Sequence, residues 1–134
     1  MSDFFQEIIL DEAKNPANYG TLTGTDLKQV QYNPSCGDTI QVTIKLNPDK
    51  SVVEDLKWTG EGCTISMATM SLLSKEVIGK KVEDILKIDQ EFLLNLLDLK
   101  VITPGRIKCL QLGLRAIKDL LLNPTNYSHL EFIF

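Results

Sequence analysis

Apolar residues recur at helical spacing at the start of the chain, where Phe4, Phe5, Ile8, Ile9 and Ala13 mark one face of a short amphipathic helix that stops before Pro16. The pattern then changes period. Leu27 to Tyr32, Thr39 to Leu46 and Ser51 to Trp58 alternate or are rich in β-formers, and Asn47-Pro48-Asp49-Lys50 supplies a turn between the last two, which predicts a three-stranded antiparallel meander. After Cys63 the helical period returns. Ile65, Ala68, Leu72 and Leu73 form an apolar stripe that ends near Gly79, with Met67 and Met70 beside it as ordinary core filling. Shorter helical patterns follow at Val82 to Leu86 and Gln90 to Leu97. Thr103-Pro104-Gly105 then breaks the chain ahead of a long amphipathic helix carrying Ile107, Leu110, Leu114, Ile117 and Leu121, which ends near Asn123-Pro124.

Composition narrows the class. With 134 residues, 43% of them hydrophobic, the chain is in the range of one compact domain, here residues 1–134, built on one core. Eighteen acidic against fourteen basic residues give a net charge of −4, the wrong sign for a general nucleic-acid binder. No stretch is long and apolar enough to span a bilayer, and Met1-Ser2-Asp3-Phe4-Phe5-Gln6-Glu7 lacks the basic start and small-residue cleavage site of a signal peptide, so a cytoplasmic location is expected. Three widely spaced cysteines do not make a disulfide framework, and a reducing compartment would leave them free. The pentapeptides at 15–19 and 123–127 are similar, but turn formers recur by chance and no internal repeat is assigned.

The cysteines carry the chemistry. Cys36 lies in Asn33-Pro34-Ser35-Cys36-Gly37-Asp38, Cys63 in Gly60-Glu61-Gly62-Cys63-Thr64-Ile65-Ser66, and Cys109 in Gly105-Arg106-Ile107-Lys108-Cys109. Taken singly, each is as well explained as a small buried hydrophobe, and Asp38 as a turn residue after Gly37. Glycine beside a thiolate nevertheless allows close approach of backbone amides and a bound group, and Asp38 offers a hard oxygen two residues from Cys36. Together they suggest three thiolates and one carboxylate around a metal. Cys63 falls at a helix entrance, where free amides and the helix dipole favour a thiolate. Cys109 falls in the first turns of the last helix. His129, the only histidine, lies in the tail outside every motif and is expected at the surface; the apolar end of that tail, Leu130 to Phe134, is expected to pack on the domain or on a partner.

These three contexts, in order and with Asp38, resemble the IscU/SufU/NifU-type iron-sulfur cluster scaffold proteins, and Asn15-Pro16-Ala17-Asn18-Tyr19-Gly20 resembles that family's turn after its first helix. The resemblance covers about residues 4 to 122. It implies an α+β domain, a small antiparallel three-stranded sheet with helices packed on one face. It also implies a ligand set of Cys36, Asp38, Cys63 and Cys109. On that set, iron and sulfur delivered as persulfide by a cysteine desulfurase would form a transient two-iron two-sulfur cluster, which then passes to acceptor proteins. Thiolates suit iron-sulfur clusters and zinc alike, so the alternative is a zinc-dependent sulfurtransferase of the SufU kind; a zinc-stabilised structural module is a third. The scaffold reading is not that of an enzyme.

Three departures bear on the branch. Lys108 occupies the place where IscU proteins have histidine, and a basic residue there is typical of SufU; it is expected either to lower the pKa of the Cys109 thiol and pair with Asp38 or to be a solvated surface lysine. The connection from Gly79 to Thr103 is short for the insertion that SufU proteins carry. Ile102-Thr103-Pro104-Gly105-Arg106 does not reproduce the Leu-Pro-Pro-Val-Lys segment by which IscU proteins engage a dedicated chaperone.

Overall fold

The computed structural model describes residues 3–25, 27–33, 37–99 and 104–122; Cys36, His129, the pentapeptide at 123–127 and the apolar tail lie outside them. The elements follow in the order α1 (Asp3–Lys14), β1 (Leu27–Asn33), β2 (Asp38–Leu46), β3 (Val53–Glu61), α2 (Thr64–Val77), α3 (Val82–Ile85), α4 (Gln90–Leu96) and α5 (Pro104–Leu122). The fold is α+β, as expected. The three strands form one antiparallel sheet in the order β1-β2-β3. Among the described residues, no helix is long and apolar enough to cross a membrane.

Strand alternation decides which side chains face the helices. In β2 these are Asp38, Ile40, Val42 and Ile44; the paired register places Gln31, Gln29 and Leu27 of β1 and Gly60, Trp58 and Leu56 of β3 beside the last three. Ile40, Val42, Ile44, Leu56 and Trp58 are buried with Ala68, Met70, Leu73 and Val77 of α2 and Leu110, Ile117 and Leu120 of α5. Each such aliphatic side chain contributes about 1.5–3 kcal/mol on burial. Met70 is core filling, as expected. It lies against Gly113 of α5, where an added Cβ would collide with the Met70 sulfur, so this glycine lets the two helices approach closely.

The predicted third strand is displaced toward the C-terminus. It begins at Val53, after a turn in which the Asn47 side-chain oxygen accepts from the Ser51 and Val52 amides, and it runs on through Thr59, Gly60 and Glu61, paired with Gln41, Ile40 and Thr39. Gly60, a turn former in sequence terms, is accommodated because β2 fills the space its side chain would occupy: a Cβ there would lie 2.5 Å from the Thr39 carbonyl oxygen and 2.8 Å from Ile40 Cδ1. β2 likewise begins at Asp38, one residue earlier than its apolar pattern indicates.

The turn after α1 is fastened to both layers. The Ala17 carbonyl accepts from the Trp58 indole N–H at 2.9 Å, the Ala17 amide donates to Ser71 Oγ at 2.8 Å, and the Asn18 side-chain amide donates to Ser74 Oγ at 3.0 Å. Tyr19 packs edge-on against Trp58, with ring centroids 5.0 Å apart. Buried Ser71 and Ser74 thereby turn one side of α2 into a polar clamp for the N-terminal segment, and Glu12 of α1 bonds both Ser71 and Lys75.

Candidate metal centre

Asp38, Cys63 and Cys109 come together from three elements. Asp38 opens β2, and the same alternation that turns Ile40 and Val42 inward turns its carboxylate toward the helices, leaving it 3% exposed. Cys63 is the N-cap of α2, with an extended backbone, φ −71° and ψ 167°. Its sulfur accepts from the Ser66 amide at 3.5 Å, the position a serine or aspartate oxygen normally takes at a helix start. Cys109 lies on the buried side of α5, 4% exposed. One donor atom from each of the three lies within 4.8 Å of the others.

Hydrogen bonds fix this triad. The Cys63 amide donates to Asp38 Oδ1 at 3.2 Å, and the Ser66 hydroxyl donates to Asp38 Oδ2. Ser66 Oγ also lies 3.5 Å from Cys63 Sγ and 3.3 Å from the Cys109 carbonyl oxygen. Gly62 makes room for the carboxylate, since a Cβ at residue 62 would stand 2.8 Å from Asp38 Cγ. Gly37, at φ +76°, takes the left-handed backbone that leads into β2.

The two thiols differ in character. Burial pushes Cys63 up, but its polar contacts with Ser66, including the amide that donates to its sulfur, and with the Cys109 thiol outweigh that and the opposing Asp38 charge, so its pKa falls below the ordinary value. Cys109 is pushed up to about 12, by burial first and then by its contacts with Cys63 and Asp38. The expectation that Lys108 lowers the pKa of Cys109 therefore needs correction: the Lys108 side chain is exposed while Cys109 is buried, and the net shift is upward.

The donor chemistry suits a thiophilic ion. Two thiolates at about 2.3 Å from a tetrahedral zinc stand about 3.8 Å apart, so donors already within 4.8 Å need little movement to share one ion. Both thiols must lose their protons on binding, which couples metal affinity to pH. Of the sequence-predicted residues, Asp38, Cys63 and Cys109 are brought together, while Cys36 is outside the described residues. Ser66 and the steric role of Gly62 were missed. The strand period of Ile40, Val42 and Ile44 would have shown Asp38 pointing inward, and Ser66 stands three residues after the N-cap, where contact with the capping side chain is expected.

Comparison with known proteins agrees with the fold. The sequence model of the NifU-like N terminal domain matches residues 4–128. The zinc-dependent sulfurtransferase SufU of Bacillus subtilis is 34% identical, covering 88% of this chain and 89% of its own length. The iron-sulfur cluster assembly scaffold protein IscU of Streptococcus pyogenes is 32% identical, covering 97% and 90%. A crystal structure of a candidate iron-sulfur cluster assembly scaffold protein for the SUF system from Fervidobacterium islandicum superposes with a TM-score of 0.70 at 25% identity, covering 90% of this chain and 99% of that one. The chain belongs to the NifU-like N terminal domain family, that of the IscU and SufU proteins of iron-sulfur cluster assembly.

Proposed function

We propose that this protein is a scaffold on which two-iron two-sulfur clusters are built from iron and desulfurase-derived sulfur and then passed to acceptor proteins. The observation that carries the reading is the convergence of one carboxylate and two thiols at the mouths of two helices, to which Cys36 would add a third thiol. Thiolates bind iron and sulfide well, and a single hard oxygen among them weakens the hold on a cluster that must be given away. Iron and the assembled cluster are cargo rather than resident cofactors. Of the two described thiols, Cys63 is the more accessible and the one with the lowered pKa, which makes it the better acceptor of persulfide sulfur.

A second reading has its own support. Lys108 in place of histidine and the 34% identity to the Bacillus subtilis sulfurtransferase favour a zinc-bound form that relays sulfur from a cysteine desulfurase. Zinc would be held by the same residues, serving to keep the thiolates deprotonated and in place. Anaerobic incubation with ferrous iron, cysteine, a cysteine desulfurase and dithiothreitol as reductant separates the two. A visible-absorbing cluster that activates an apo-ferredoxin supports the scaffold. Zinc-dependent stimulation of the desulfurase without a cluster supports the sulfurtransferase and refutes the scaffold.

A further inference from the structure

We propose that Ser66 is the positioning residue of the candidate metal centre, holding the Asp38 carboxylate in one orientation against the start of α2. Ser66 is 3% exposed and lies in the first turn of α2, three residues after Cys63. Its hydroxyl lies among three polar atoms: Asp38 Oδ2 of β2, Cys63 Sγ at 3.5 Å and the Cys109 carbonyl of α5 at 3.3 Å. A serine hydroxyl has one hydrogen to donate. The carboxylate is the anionic acceptor and makes the shortest contact, so the hydrogen goes to Asp38. Cys63 is served instead by the Ser66 peptide N–H, also at 3.5 Å. One residue thus supplies its side chain to the carboxylate and its backbone to the thiol.

The other carboxylate oxygen, Oδ1, is held by the Cys63 amide at 3.2 Å, so both oxygens are anchored before any metal arrives. A carboxylate held at both oxygens cannot swing out as a flexible ligand does. Removing the hydroxyl takes this donor away from Oδ2 and loosens the Asp38 side chain. The effect reaches the metal through Asp38, with no contact between Ser66 and the ion.

The proposal rests on reading the triad as a metal site, and the test separates the two ideas. The probe is Co²⁺ added anaerobically to the metal-free full chain, followed by sulfur-to-cobalt charge-transfer absorption and by competition with a chelator. Ser66→Ala is expected to lower Co²⁺ affinity about 10–100-fold and to shift the ligand-field bands, while Ser66→Thr, which keeps the hydroxyl, retains most of the affinity. In an Asp38→Ala background, Ser66→Ala is expected to change affinity less than about twofold, because the residue through which it acts is gone. Wild-type affinity in Ser66→Ala, or an equal loss in both backgrounds, overturns the proposal. Absence of charge-transfer absorption in the wild type overturns the metal-site reading instead. In that event, or if Ser66→Ala fails to fold, proton NMR of the metal-free wild type decides: the proposal requires a slowly exchanging Ser66 hydroxyl proton that Asp38→Ala abolishes, and a rapidly exchanging one refutes it.

Discussion

Replacing Gly62 with alanine tests how tightly the carboxylate of the candidate metal centre is boxed in. A Cβ at residue 62 would stand 2.8 Å from Asp38 Cγ and 2.9 Å from Oδ1, against about 3.4 Å for ordinary contact, so one of the two must move by about 0.6 Å. Gly62 does not have a left-handed backbone, so alanine brings no conformational strain and the collision is the main native-state effect. Moving the carboxylate away takes Oδ1 beyond hydrogen-bonding range of the Cys63 amide, already at 3.2 Å. Overpacking and a lost hydrogen bond to a charged group each cost about 1–3 kcal/mol, and here they describe one event. The lower entropy of the unfolded alanine chain returns about 0.4–1 kcal/mol. A net loss of about 1–2 kcal/mol is expected in urea unfolding of the metal-free, reduced protein. In an Asp38→Ala background the same substitution should be neutral or slightly stabilising, because the obstructing carboxyl is gone. An equal cost in both backgrounds would refute the reasoning, since the strain would then lie elsewhere than at Asp38.

Three further outcomes are expected. Both amide atoms of Gln29 are buried on the helix-facing side of β1 without a hydrogen-bond partner among the described residues, so Gln29→Leu should raise the urea-unfolding free energy by about 1–2 kcal/mol; a loss would show that the amide is satisfied by another group or by bound water. Burial raises the Glu12 pKa, but Lys75 and Ser71 outweigh it and hold the carboxyl below its ordinary range, so its contribution is present above the unfolded glutamate pKa and lost as pH falls through the lower folded-state pKa. Glu12→Gln should therefore flatten the decline of stability between about pH 5 and pH 3, by less than about 1 kcal/mol because Lys75 is exposed; an unchanged slope would contradict the assignment. In metal-free protein at neutral pH, mass spectrometry of iodoacetamide adducts should find Cys63 alkylated well before Cys109, because burial first and then Cys63 and Asp38 push the latter up to about 12; equal rates would contradict this order.

The sequence by itself determined the elements and their kinds, because hydrophobic period is a local property. Period two marks Leu27 to Tyr32 and Thr39 to Leu46 as strands, period 3.6 marks the helices after Cys63 and Pro104, and Pro16 and Gly79 stand near the ends of their helices whatever the tertiary context. The cysteine contexts and Asp38 likewise carry the resemblance to the family in the sequence itself. Strand ends were less legible. Glu61 belongs to β3 because Thr39 pairs with it across the sheet, and Gly60 is tolerated there because the Thr39 carbonyl and the Ile40 side chain fill its empty side; both facts depend on a neighbouring strand. The tertiary structure alone decided the character of the donors. Residues 38, 63 and 109 are far apart in the chain, and only the packing of α2 and α5 against the sheet places Ser66 between Asp38 and Cys63, buries Cys109 and turns Lys108 outward. Hydrogen bonding and desolvation act over a few ångströms in space, so the opposite shifts of the two thiols follow from the fold and not from the residues beside them in sequence.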